Sequence, residues 1–390
     1  MHTISSKRTS NQSVDNDRQV GTDRKAVQEL LARADVRING DRPWDIQVHN
    51  PELYQHVLSG GSLAFGEAYM DGWWDCAALD ECVNRLMAAR LHEEVRSWHV
   101  AWNVVKAKLL NLQSRSRAYR IGERHYDRGN DLFEVMLDDR MTYTCGYWKD
   151  ATSLEDAQKA KLDLVCRKIG LEAGDRVLDI GCGWGSFLQY AAEEYGGEGV
   201  GLTVSEEQAR LGRERCAGLP VEIRLQDYRD LQGEAFDHVV SVGMFEHVGS
   251  KNYETFFDVA RRCLRPDGLF LLETIGAERF SPSTDPWINK YIFPNGSIPS
   301  ASQITGVLEG RFVIEDWHNF GPDYDRTLMA WHERFTDHWD MLKGRYDERF
   351  YRMWTFYLLS CAGSFRARHN RNWQLVLSPE GVAGSYRSVR

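Results

Sequence analysis

The run Val177-Leu178-Asp179-Ile180 reads as a buried strand and leads into Gly181-Cys182-Gly183-Trp184-Gly185, after which a helical stretch begins. Glycines at such a turn let the backbone bend tightly and approach a ligand closely. In an open α/β sheet, the carboxyl end of a strand is where a cofactor binds. A glycine-rich loop alone is a weak signal, and the acid carried by the strand ahead of it raises its value. The nicotinamide-binding turn wants G-x-G-x-x-G. Here Gly185 lies two residues after Gly183, and Ser186 stands in the third glycine's place, so that reading is the weaker one.

The elements that must position this loop alternate along the chain. Strands are expected at 176–182, 199–204, 221–227, 236–244 and 268–275, with helices at 187–194, 206–216 and 253–264 between them. Such alternation implies an α/β fold, a parallel sheet with helices on both faces. Two later candidates, 312–317 and 373–377, would complete it as edge strands. Ahead of the first strand, Thr152-x-x-Glu155 fits a capping box for a helix running to about Ile169.

The N-terminal quarter reads differently. Residues 1–25 form a polar tail without the apolar core of a signal peptide. A helix is expected from about Asp23 to Ile38, a turn at Ile38-Asn39-Gly40-Asp41, a short strand at 44–49, and mainly helix from Pro51 to about Ala89. From Arg85 to Arg120, eight Lys or Arg stand against Glu93 and Glu94, a local charge of about +6. Within that segment Trp98, Ala101, Trp102, Val105, Leu109 and Leu112 repeat at helical spacing. A basic amphipathic helix with tryptophans suits a membrane surface, and an ordinary helix packed on its own domain fits the same periodicity. The formal net charge of −9 argues against general nucleic-acid binding. The eight cysteines form no CxxC pair and no His/Cys cluster of zinc spacing, so no metal is expected, and reduced thiols in the cytoplasm are the simplest reading. No apolar run approaches a membrane span, so a lipid substrate would be reached from the surface.

The D-x-G-x-G-x-G loop resembles the first motif of class I methyltransferases, in which the acid, here Asp179, orders the loop while Gly181 and Gly183 face S-adenosylmethionine. Those enzymes usually carry an acid at the end of the second strand. Gly201-Leu202-Thr203-Val204-Ser205 has none, and Gln208 is the candidate for its work. Longer stretches resemble cyclopropane-fatty-acyl-phospholipid synthases: HYDRGNDLFEVMLDDRMTYTCGYW, VLDIGCGWGSF, GLTVSEEQ, QDYRDL, SVGMFEHVG, DPWINKYIFPNG and DWHNFGPDYDRTLMAWHERF. The resemblance runs from about Ala34 to Phe365 and includes GEAYMDGWW and the basic segment, a region that the related mycolic-acid methyltransferases lack. It implies a class I methyltransferase sheet over 119–390, preceded at 26–118 by a smaller, mainly helical domain that docks on lipid. It also implies a phospholipid substrate, transient membrane contact at the inner face of the cell membrane, and a homodimer. Tyr143, Thr144, Gly181, Gly183, Thr203, Gln208, Gln226 and Asp227 match cofactor positions. Cys145, Glu246, Ile275 and Tyr324 match positions that surround a bound bicarbonate near the reactive methyl.

The implied chemistry is demanding. A cis alkene is a weak nucleophile and must be placed directly behind a sulfonium methyl, positioning that is worth roughly 7–11 kcal/mol in favourable cases. The resulting cation needs dry aromatic surroundings, for which Tyr126, Tyr143, Phe245, Tyr291, Phe293 and Tyr324 are candidates, and a base that removes a proton so that the ring closes. Cys145 is not expected to be a nucleophile. The family's LLHTIG reads Leu271-Leu272-Glu273-Thr274-Ile275-Gly276 here, so a carboxylate replaces the histidine that helps hold bicarbonate. Either Glu273 is itself the base, its carboxylate standing where bicarbonate would bind, or a protonated Glu273 donates to a bicarbonate that still binds. The first needs no shifted titration and is preferred. Alternative functions are a methyl- or methylene-branching lipid methyltransferase and a non-catalytic lipid-binding relative.

Overall fold

The computed structural model describes residues 20–91, 129–279, 281 and 284–390. Helix α1 (20–32) is followed by β1 (Gln47–Val48), α2 (Leu53–Met70), β2 (Trp74–Asp75), α3 (Leu79–Ala88), α4 (Asn130–Met136) and α5 (Leu154–Ile169). Next come β3 (Arg176–Ile180), α6 (Ser186–Tyr195), β4 (Glu198–Thr203), α7 (Glu206–Arg215), β5 (Val221–Leu225), β6 (Phe236–Val242), α8 (Tyr253–Cys263) and β7 (Leu264–Ala277). The chain ends with α9 (Pro286–Tyr291), α10 (Ala301–Leu308), β8 (Val313–Asn319), α11 (Gly321–Asp337), α12 (Trp339–Leu342), α13 (Glu348–Arg366) and β9 (Asn370–Ser378).

Seven strands form one sheet in the order β5-β4-β3-β6-β7-β9-β8. The first five are parallel, and β9 runs antiparallel to both neighbours. The expected α/β class is therefore present. One detail is corrected: 373–377 is not an edge, because β9 inserts between β7 and β8, leaving β8 outermost with Val313 and Ile314 exposed. The chain order reverses on either side of β3, and the carboxyl ends of β3 and β6 open at that switch point, where an open sheet leaves a crevice.

Three local expectations shift. Residues 20–25 are helical rather than tail, and α1 stops at residue 32, where a turn through Asp35 at φ 52° ends it. A two-stranded ribbon pairs β1 with β2, the second strand lying inside the stretch expected to be helix. Helix α5 is capped by Ser153, whose side chain accepts from the Asp156 backbone N–H, and not by Thr152. The segment 98–112, with its basic and tryptophan-bearing face, lies outside the described residues, as does Tyr126.

The N-terminal helices do not stand apart from the sheet domain. Val27, Leu31, Tyr54, Trp74 and Cys82 share one buried apolar cluster with Trp331, Phe335, Trp354 and Phe356 of α11 and α13. Helix α13 is buried along nearly its whole second half and packs against α2, α3 and α11. A Cβ at Gly363 would stand 2.3 Å from the Asp80 carbonyl oxygen, so only glycine admits α3 this close.

Candidate active site

A cavity of about 180 Å³ opens where β3, β4, β5 and β6 end. All nine residues expected to hold the cofactor line it: Tyr143, Thr144, Asp179, Gly181, Gly183, Thr203, Gln208, Gln226 and Asp227. The loop after β3 turns through positive φ at Gly181 (91°) and Gly183 (56°). A Cβ on Gly183 would meet nothing within 4 Å, so its bare backbone faces the cavity, whereas one on Gly181 would strike Met244. At the end of β4, the Thr203 hydroxyl donates to Gln208 Oε1 at 2.8 Å, and Ser205 caps α7, fixing Gln208 over the cavity in place of the missing acid. Asp227 receives Arg229 Nε at 2.8 Å and is held rigid at the end of β5.

Asp179 is almost fully buried, and its Oδ1 has no hydrogen-bond partner within the protein. Burial raises its pKa to about 7. An orphaned carboxylate oxygen, a glycine cradle and a ring of polar side chains fit S-adenosylmethionine, whose cationic methionine end would satisfy the acid. Two lining residues were not anticipated. Lys161 of α5 is 1% exposed and donates to Thr144 Oγ1 at 2.8 Å. Desolvation lowers its pKa. Its signal was present in the sequence: Leu154, Ala157, Lys161, Val165 and Lys168 share the buried stripe of one helix, and a lysine on such a stripe is unusual. His247 lines the cavity as well, in neutral form, because burial lowers its pKa to about 4.

A second cavity, of about 1200 Å³, meets the first at Tyr143, Thr144, Gly243 and His247, which line both. Its walls are largely apolar. Val27, Leu31, Tyr54 and Phe65 come from the N-terminal helices, and Trp287, Leu328, Phe356 and Phe365 come from the other side. Of the six aromatic candidates, Tyr143, Phe293 and Tyr324 line it. Phe245 instead stacks on Tyr253 in the core, with ring centroids 4.3 Å apart, and Tyr291 turns outward to donate to Glu67. Tyr357, not anticipated, lines the cavity and shares a 2.8 Å hydrogen bond with the Tyr143 hydroxyl.

Glu246, Ile275 and Tyr324 line the large cavity, whereas Cys145 and Glu273 line neither. Glu246 Oε1 accepts from the Ile275 N–H at 2.5 Å, and Oε2 is buried without a partner. Burial raises the Glu246 pKa to about 7. Glu273, one layer deeper on β7, accepts from Gln374 Nε2 at 2.7 Å and from Asn372 Nδ2 at 3.3 Å. Cys145 is fully buried and donates to the neighbouring Gly146 carbonyl. Burial pushes its thiol well up, so it stays protonated. These groups do not fit bicarbonate. The Ile275 N–H is taken by Glu246, the Cys145 thiol faces backbone, and the histidine's place holds a carboxylate.

Residues 113–375 match the family model described as mycolic acid cyclopropane synthetase. The chain is 53% identical over 367 residues to the cyclopropane-fatty-acyl-phospholipid synthase of Escherichia coli K12, an alignment that covers 94% of this chain and 96% of the relative. It is 36% identical to the tuberculostearic acid methyltransferase UfaA1 of Mycobacterium tuberculosis, over 86% of this chain and 83% of that one. Its structure resembles mycolic acid cyclopropane synthase CmaA1 complexed with SAH and CTAB, with a TM-score of 0.62 and 31% identity, over 66% of this chain and 97% of that one. The chain belongs to the mycolic acid cyclopropane synthetase family.

Proposed function

We propose that this chain is an S-adenosylmethionine-dependent methyltransferase that adds a methylene unit across the cis double bond of unsaturated phospholipid acyl chains, closing a cyclopropane ring. One observation carries the reading. A polar, glycine-floored cavity meets a large apolar one at Tyr143, Thr144, Gly243 and His247, with Glu246, whose buried Oε2 has no hydrogen-bond partner, on the wall of the apolar one. The E. coli relative's name supports it.

When bound, S-adenosylmethionine supplies an electrophilic methyl group. Asp179, Gly181, Gly183, Thr203, Gln208, Gln226 and Asp227 would hold it in the cavity that meets the apolar one. Gln158 and Lys161 of α5 steady the junction from behind, Gln158 Nε2 donating to the Thr144 carbonyl at 2.8 Å. The apolar walls keep water from the cation that forms on the acyl chain, which would otherwise be trapped as an alcohol. The faces of Tyr143, Phe293 and Tyr324 stabilise that cation, on the order of 2 kcal/mol for a desolvated contact. Glu246 Oε2 then accepts a proton from the new methyl carbon. The electron pair of that C–H bond forms the last ring bond, and no oxidant is needed.

This assigns the base to Glu246 instead of Glu273, whose two oxygens are already engaged by amides. Glu273 acts as a positioning residue that ties β7 to β9 behind Ile275. Residues 119–390 supply the methyl-transfer machinery; residues between Val27 and Leu91 line the apolar cavity, and the domain 26–118 docks on the membrane from the cytoplasmic side. No helix among the described residues is long and apolar enough to cross a membrane.

The transfer step is tested by incubating the purified chain with methyl-labelled S-adenosylmethionine and dioleoyl phospholipid vesicles. Label is expected in the acyl chains. Label confined to water-soluble products would refute the reading.

A further inference from the structure

The large cavity is apolar along most of its wall, but one end is cationic. Strand β7 ends at Ala277, paired with Asn370 at the start of β9. Arg279 follows Ala277 by two residues and Arg368 precedes Asn370 by two, so both stand just beyond the same end of that pair, and both line the cavity. Both are exposed, and no described carboxylate pairs with either. Arg368 sits at φ 59° where α13 stops, its N–H donating to the Phe365 carbonyl and the His369 N–H to the Ser364 carbonyl, a common left-handed helix end. Lys251 lines the same cavity and adds to its positive charge. Two carboxylates line the same cavity, Glu278, which lies 4.0 Å from Arg371, and Asp285, which caps α9.

We propose that Arg279 and Arg368 form a phosphate-binding mouth that takes the phosphodiester of the phospholipid substrate while its acyl chain enters the cavity. Two guanidiniums at one end of the cavity present the forked donors that a phosphate accepts best. The spacing suits a mid-chain reaction. Arg279 lies four residues beyond Ile275, hence at most about 13 Å from it at ~3.3 Å per residue. An extended hydrocarbon with bonds of ~1.5 Å covers that span in roughly ten carbons. The proposal rests on the reaction proposed above.

The test compares dioleoylphosphatidylglycerol with methyl oleate, each dispersed in the same non-ionic detergent. Arg279→Gln and Arg368→Gln should each lower kcat/KM for the phospholipid about tenfold, and the double variant should lower it further. Turnover of methyl oleate, cofactor binding and the unfolding midpoint should stay unchanged, and Arg→Lys at both positions should recover part of the loss. Equal losses on both substrates, or none on the phospholipid, would overturn the proposal. Millimolar inorganic phosphate altering methyl oleate turnover in the wild type but not in the double variant would reassign the site to a free anion and also overturn it. A wild type inactive on both substrates would instead sink the proposed reaction, and this assignment with it.

Discussion

Two carboxylates of one site have different surroundings. Glu273 spends both oxygens on amides of β9, while Glu246, on the wall of the apolar cavity, keeps one buried oxygen without a hydrogen-bond partner. Replacing Glu246 by Gln should therefore lower kcat at least about 100-fold, the usual weight of a positioned base, with cofactor affinity retained. Glu273→Gln should cost kcat less, and the reverse ranking would return the base to Glu273. Burial raises the Glu246 pKa to about 7, and only its carboxylate form accepts a proton. Wild-type kcat, measured with saturating S-adenosylmethionine so that Asp179 is held by the bound cation, should then rise with pH through about 7 and level off above it, and the residual activity of Glu246→Gln should lack that inflection. In carbonate-free buffer, added bicarbonate should not stimulate turnover; strong stimulation would show that the anion is the base. At this scale the lining of the smaller cavity was legible: all nine residues expected around the cofactor stand on its wall, because the glycines, Asp179 and Gln208 fall in motifs at the strand ends. The base was not. Nothing in LLETIG says whether Glu273 faces the cavity or the neighbouring strand's amides, since that depends on what β9 places opposite it.

Helices α5 and α13 carry the site from opposite sides. Helix α5 brings Gln158 and Lys161 against the backbone and side chain of Thr144. Helix α13 fixes the N-terminal helices over the apolar cavity, and its close approach to α3 depends on Gly363. Alanine is the better helix former by ~1 kcal/mol, yet Gly363→Ala must push α3 away. We expect a net destabilisation of about 1–3 kcal/mol, read as a lower unfolding midpoint. A rise in the midpoint would mean that the two helices have room to spare. The alternating strands and helices were readable from periodicity to within a few residues. The exceptions, a two-residue strand at Trp74–Asp75 and the insertion of β9 between β7 and β8, are set by pairing between distant segments and leave no local pattern.

The whole molecule joins a methyl-transfer sheet to a helical cap so that a long apolar cavity runs between them. Drawing an acyl chain out of a bilayer costs roughly 0.8 kcal/mol for each CH₂ left in water, and walls contributed by both parts remove that cost. We propose that the basic segment around 98–112 makes the membrane contact that delivery of the substrate would require. Reversing the charge of Lys106 and Lys108 should weaken binding to anionic vesicles at low salt, and unchanged binding would reject that role. The central claim is that methyl transfer ends in ring closure. Lipids from cells expressing this chain should gain 14 mass units per modified acyl chain and lose the alkene proton signals in step with that gain. A 14-unit gain with an alkene retained would mean a branched product, and unmodified lipid beside a protein that still binds its cofactor would mean no catalysis at all.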